Sequence, residues 1–219
     1  MGEDWTAHAE REEARYRDGS QRIPDDDPDA RQRQLTRIGN AAYGAGLSYL
    51  MLGDADAAAD ALARAAAAYL DSYDDAPRGS WGRLVAMIKA AILAGDWAGA
   101  ADHARRTLDE GAREAESPIG RYAAALALLT LGEDEDARPV ADSIREREDF
   151  PHDVANALAT LAAEDTLGYT YAIESVLESF ERRDEYLEDI PAADTVVVLQ
   201  ALAERRGIAA ELESPLLPR

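Results

Sequence analysis

Apolar residues recur every three or four positions along most of this chain, the spacing that gathers them on one side of an α-helix. From Pro28 the stripe runs through Leu35, Ile38, Ala42, Ala45, Tyr49 and Leu52, which predicts a helix over 28–52. Asp27-Pro28 opens it, an acidic N-cap followed by proline in the first turn. Gly53 closes it as a left-handed cap. The same grammar predicts helices over 55–73, 81–94, 97–113, 118–131 and 134–148, with Ser80 and Ser117-Pro118 as starts and Gly95 and Gly132 as stops. Phe150-Pro151-His152 breaks the pattern, and Asp153 then caps a helix to Glu164. Thr166 opens another, to Arg183, with Tyr169, Ile173, Val176, Leu177 and Phe180 on its apolar face. Pro191 opens the last, to Arg206, and Gly207 closes it. Residues 3–17 read as a short charged helix with Trp5, Ala9 and Tyr16 on one side, and 18–27 as a loop. The tail, 208–219, is mostly apolar and reads as an extended segment lying on the helices.

Three times an alanine-rich helix runs into a Gly-acid turn and out into a second helix: at Gly53-Asp54, Gly95-Asp96 and Gly132-Glu133. A repeated helical hairpin is the signature of an α-solenoid, a fold that works by holding a partner. The first hairpin resembles a tetratricopeptide repeat: Gly46, Tyr49, Gly53, Ala58, Leu62 and Ala65 fall at that motif's spacing. The later hairpins match it less well. Ala100 and Ala137 keep the small position after the turn, but Ile88 and Ala125 stand in place of the first helix's glycine. The turn glycines are 42 and then 37 residues apart, against a strict repeat of about 34. The expected fold is therefore all-α, either a tetratricopeptide-like array of helical hairpins or an irregular helical bundle in which Gly-acid turns are simply good turns. The expected organisation is a charged N-terminal segment, 1–27, and one helical domain, 28–219. In the array, the first helix of each hairpin lines a concave face. Motif position puts Asn40, Tyr43 and Leu47, then Val85, Lys89 and Ile92, then Tyr122, Leu126 and Leu129 there. Asn40, Tyr43, Leu47, Val85, Lys89 and Tyr122 are the candidate partner-binding residues.

Composition changes how charge is read. The formal net charge is -21, from 44 Asp plus Glu against 23 Lys plus Arg, and Lys89 is the one lysine. Many acids, abundant alanine and almost no lysine look like a protein adapted to molar salt, where a Debye length of about 3 Å screens self-repulsion. On that reading acidity is background and not a clue to a ligand. Nucleic-acid binding is disfavoured, because phosphate neutralisation needs clustered Lys and Arg. With no cysteine, disulfide and thiolate chemistry are excluded. No signal-like start and no long apolar run are present, so a cytoplasmic protein with no membrane contact is expected.

Candidate chemistry is thin. His8, His103 and His152 are too scattered to form a metal motif. Asp25-Asp26-Asp27-Pro28-Asp29 begins like a calcium loop, but Ala30 and Thr36 occupy the positions that need glycine and glutamate. Glu174, Glu178 and Glu181 have helical spacing, and so do Asp184 and Glu188, which so acidic a chain produces by chance. No serine sits in a nucleophile elbow, and no glycine-rich phosphate loop occurs. Arg31, Arg33 and Arg37 are the densest basic cluster, with Asp29 placed to pair with Arg33.

One further resemblance lies at the C-terminal end. Asp194-Thr195-Val196-Val197-Val198-Leu199-Gln200-Ala201-Leu202-Ala203-Glu204-Arg205-Arg206-Gly207-Ile208, followed by Leu212-Glu213-Ser214-Pro215-Leu216-Leu217-Pro218, resembles the ending of the immunity-49 family of bacterial polymorphic-toxin systems. That resemblance implies an all-helical protein that neutralises a toxin by binding it, and it supplies no catalytic residues. The expected function is thus non-enzymatic: protein binding by occlusion, as an immunity protein, with no cofactor and no metal. The alternatives are a general scaffold of the tetratricopeptide type and a helical enzyme whose carboxylates bind metal. The salt reading has a direct test. Dialysis from about 2 M potassium chloride into dilute buffer removes the screening and is expected to abolish the helical circular dichroism signal. Full helicity in dilute buffer would return acidity to the list of functional clues.

Overall fold

The computed structural model describes residues 3–218, which contain ten α-helices and, among the described residues, no strand. In order they are α1 (Trp5–Ser20), α2 (Pro28–Leu52), α3 (Ala55–Asp74), α4 (Trp81–Leu93), α5 (Trp97–Asp109), α6 (Pro118–Leu131), α7 (Asp134–Arg145), α8 (His152–Ala162), α9 (Thr166–Glu181) and α10 (Asp194–Glu204). Short 3-10 turns occupy Ala112–Glu114 and Leu187–Asp189.

Local chemistry explains the boundaries. Asp27 caps α2 by accepting from the Ala30 N–H at 2.9 Å, with Pro28 in the first turn. Gly53, Gly95 and Gly132 take φ of 76°, 72° and 76°, the left-handed region where a side chain would be strained. At each turn that residue donates three positions back, and the next residue donates five back. Gly53 reaches Leu50 and Asp54 reaches Tyr49; Gly132 reaches Leu129 and Glu133 reaches Leu128. The pair satisfies the helix's last carbonyls. Asp54 and Asp96 then cap the following helix through the N–H groups of Ala57 and Gly99.

A fourth copy of this turn joins α8 to α9. Glu164 donates to Leu161, Asp165 donates to Thr160, and Asp165 caps Gly168. Its left-handed position is held by glutamate, Glu164 at φ 51°. Glycine scanning does not reveal the turn, which is why three copies and not four were expected. The chain is thus an array of four helical hairpins, α2/α3, α4/α5, α6/α7 and α8/α9, each packed on the next, compatible with a helical-repeat fold.

Several predicted ends move. α1 continues to Ser20 and lies along α2. Gly111, at φ 89°, stops α5 at Asp109, short of residue 113. α8 starts at His152 with Pro151 at the cap position; Asp153 lies inside the first turn and accepts from the adjacent Val154 N–H. α10 starts at Asp194, not Pro191; ahead of it the Ala192 N–H donates to the Ile190 carbonyl and the Ala193 N–H to the Leu216 carbonyl of the tail.

Close approach replaces bulk in the core. Ala42, Ala45, Ala61, Ala65, Ala100, Ala104, Ala137 and Ala141 are fully buried where neighbouring helices meet. A Cβ at Gly46 would stand 2.6 Å from the Leu62 side chain, so this glycine sets how closely α2 and α3 approach. Arg83, on α4, faces α2 and α3 without an acidic partner among the described residues. It donates to Ser72 at 2.8 Å, to Thr36 at 3.2 Å and to Gln32.

The fourth turn gives a test. Glu164 is exposed, so Glu164→Gly removes backbone strain and little else. It is expected to stabilise the chain by about 0.5–1 kcal/mol, the left-handed cost less glycine's greater unfolded-state entropy. Gly132→Glu is expected to cost a similar amount, both read by chemical denaturation.

Candidate functional site

The first helices α2, α4, α6 and α8 present the face on which the sequence places partner-binding residues. The structure does not leave that face open. α10 lies across it, in contact with α4, α8 and α9, and the 3-10 turn at 187–189 covers the adjoining part of α2. Tyr43, Leu47, Val85 and Tyr122 are only 2–7% exposed, and Asn40 and Lys89 are half-buried. The expectation that these six residues form an accessible surface is therefore corrected. These residues point inward from their helices, but the chain's own C-terminal third occupies the space they face.

The cover is pinned by polar contacts. Lys89 Nζ lies 2.5 Å from Asp194 Oδ2 and 3.1 Å from Thr195 Oγ1, and the Tyr43 hydroxyl donates to Asp194 Oδ2 at 2.8 Å. Asp194 is the first residue of α10, where its charge also faces the helix's positive end. Burial works against both charges of this pair. Their attraction outweighs it, so Lys89 is raised above its ordinary 10.5 and Asp194 lowered below its ordinary 3.8. Burial and the Asp194 charge together push the Tyr43 hydroxyl well up, which keeps it a neutral donor.

A second polar group anchors the 3-10 turn. Tyr69 donates to Asn40 at 2.8 Å, and Asn40 donates to Glu188 at 3.2 Å. Glu188 also pairs with Arg15 of α1, and Arg11 donates to the Glu188 carbonyl at 2.6 Å. Glu12, fully buried, pairs with both arginines. Glu188 and Asp189 hold φ of 53° and 56°. Two adjacent non-glycine residues in that region carry strain that these contacts offset. The far end of α10 is tied by Arg206, which bonds Asp134 and the Leu129 carbonyl, and its middle by Gln200, which joins the Tyr169 hydroxyl to the tail at Ala210. Sequence did not join Asp194, Glu188 or Arg206 to these contacts, because their partners stand far away along the chain.

Open surface lies elsewhere. A cleft of about 1040 Å³ runs between the start of α1, the end of α2 and the tail. Trp5, Met51, Leu52, Leu212, Leu217 and Pro218 are among its walls, with Glu3 and Glu213 also lining it. Leu52, predicted to point inward, is the last residue of α2 and is 45% exposed here. A smaller recess, between α1 and the first half of α2, is lined by arginines.

Among the described residues no group of three or more His, Asp or Glu side chains is placed to hold a metal ion. Asp27 of the calcium-like run caps α2, and among the described residues no helix is long and apolar enough to cross a membrane.

The latch generates a paired prediction. Lys89→Met leaves Asp194 buried without its counter-ion and is expected to cost about 3–5 kcal/mol in chemical denaturation. Lys89→Met with Asp194→Leu is expected to cost less than the single change. The pH dependence follows from the two shifts. The Asp194 contribution is present above pH 3.8 and is lost as pH falls through its depressed value. The Lys89 contribution is present below pH 10.5 and is lost as pH rises through its raised value.

No protein-family model, curated protein or solved structure matches this chain.

Proposed function

We propose that this chain is a non-enzymatic protein-binding protein that acts by occluding its partner, and that it does so through the apolar cleft at the α1–α2–tail junction. The observation that carries the reading is the cleft itself. At about 1040 Å³ it stands at the top of the roughly 300–1,000 Å³ range of ligand pockets, and apolar side chains such as Trp5, Leu52 and Leu217 line it beside Glu3, Glu213 and Ser214. Such a surface suits a protein loop, anchored by a buried apolar residue and ringed by polar contacts. The acidic Glu3 and Glu213 favour a loop with basic flanks. In molar salt long-range steering is screened, so the apolar anchor carries the affinity.

The finer reading, an immunity protein that neutralises a toxin in the cytoplasm, draws on the resemblance of residues 194–218 to immunity-49 endings. The second half of that segment builds one wall of the cleft. The four hairpin turns favour a second reading, a scaffold of the tetratricopeptide type.

Affinity capture from native lysate in high salt separates the two. One stoichiometric partner, whose toxicity is relieved by co-expression, is the result expected of an immunity protein. Several housekeeping partners would favour the scaffold. Leu52→Arg changes an exposed residue and so spares the core. It is expected to weaken capture at least about tenfold, the effect of losing one anchor; undiminished capture by this variant would move the binding surface away from the cleft.

A further inference from the structure

Arg33, Arg37, Asn40 and Gly44 recur at helical spacing and share one side of α2. At Asn40 and Gly44 that side is covered: Asn40 bonds Glu188, and a Cβ at Gly44 would meet Glu188 and Ile190. One turn nearer the helix start, beside Arg37, lies a recess of about 280 Å³ floored by Ile38 and Ala41.

Its charge runs against that of the chain. The whole sequence has 44 acids to 23 basic residues, yet Arg15, Arg22 and Arg37 line the recess against one carboxylate, Asp18. Each guanidinium is placed differently. Arg15 is fixed in orientation by Glu12 and Glu188. Arg22 donates Nε to the Asp18 carbonyl and holds the Asp18 carboxylate only at 3.8 Å. Arg37 makes no ion pair among the described residues, while its neighbour in sequence Arg31 is paired with Asp75. Gln34 closes one side by donating to the Gly19 carbonyl at 2.9 Å. On the next turn of the same helix, Thr36 and Gln32 receive Arg83, another cation without a carboxylate partner. The basic run Arg31, Arg33 and Arg37 is thus divided: Arg31 is structural, and Arg37 turns into a recess where Arg15 and Arg22 have carboxylate partners and Arg37 has none among the described residues.

We propose that this recess binds the phosphoryl group of a small phosphorylated ligand, held by Arg37, Arg22 and Arg15. Guanidinium groups present paired N–H donors that match the oxygens of a phosphate. A volume of about 280 Å³ admits a phosphoryl group with a short substituent. The apolar floor of Ile38 and Ala41 keeps competing water off one side of the site. This site is separate from the partner cleft and does not depend on it.

The test uses the full chain in molar potassium chloride, so that chloride competes throughout and folding is maintained. Inorganic phosphate, glycerol phosphate and acetate are titrated while thermal melting is followed, and phosphorus NMR line widths report direct contact. Phosphate is expected to raise the melting temperature saturably and to broaden its own resonance. Arg37→Ala is expected to weaken that binding about tenfold or more, the loss of one charge-assisted contact. Arg33→Ala, on the same side of α2 but outside the recess, is expected to change it less than about threefold. Tighter binding of glycerol phosphate than of phosphate would identify the ligand as a phosphate ester, and equal binding would identify the bare anion. Three results would overturn the proposal: no response of the native chain to phosphate, an equal response to acetate, or equal weakening by Arg37→Ala and Arg33→Ala.

Discussion

The inner side of the four first helices has to be covered, and this chain covers it with itself. Tyr43, Leu47, Val85 and Tyr122 point to that side, and leaving them wet would forfeit the burial that holds a small-residue core together. α10 supplies the apolar counterpart through Val196, Val198, Leu199 and Leu202, all fully buried. The Lys89–Asp194 pair fixes where it sits. A buried ion pair is weak evidence of stability but good evidence of register. The sole lysine of the chain is used for this one contact, where a compact ammonium can meet a carboxylate and a hydroxyl together. Burial of the array's inner side is what relocates every accessible surface to the edges: the tail cleft, the arginine recess and the outer helices.

How far the sequence was legible follows from how local each signal is. The bounds of α2 and α6 were read correctly at both ends, since proline, a capping side chain and a left-handed glycine all fall within one turn of the boundary. α8 and α10 were misplaced at their starts: α8 begins at His152, before the predicted Asp153 cap, and α10 at Asp194, three residues past Pro191. The fourth hairpin turn escaped notice altogether. Its hydrogen bonds are those of the other three, but Glu164 tolerates a conformation that its residue type does not announce.

The candidate site was half legible. Helical periodicity placed Asn40, Tyr43, Lys89 and the rest on one side of their helices, and they lie there. What periodicity lacks is any term for a segment more than 100 positions away in the chain, such as the start of α10 that meets Lys89. The basic run on α2 shows the same limit. Arg31, Arg33 and Arg37 read alike in sequence, and the predicted Asp29–Arg33 pairing treats them as local. The structure sends Arg31 to Asp75 at the end of α3 and Arg37 toward α1.

α10 also alters how such an array must assemble. A solenoid held only by neighbouring repeats gains its structure piece by piece, from any starting point. Here one helix touches α2 and α4 near its start, α9 at its middle, and the α6–α7 turn at its end. Those contacts span most of the chain, so the loop entropy of bringing them together is met before they return any stabilisation. During synthesis the four hairpins emerge and stack while their inner side still lacks its cover. Until residues 194–206 leave the ribosome, Lys89, Tyr43 and the apolar residues beside them stand exposed to other nascent chains, and this interval is when the protein is most open to misassembly.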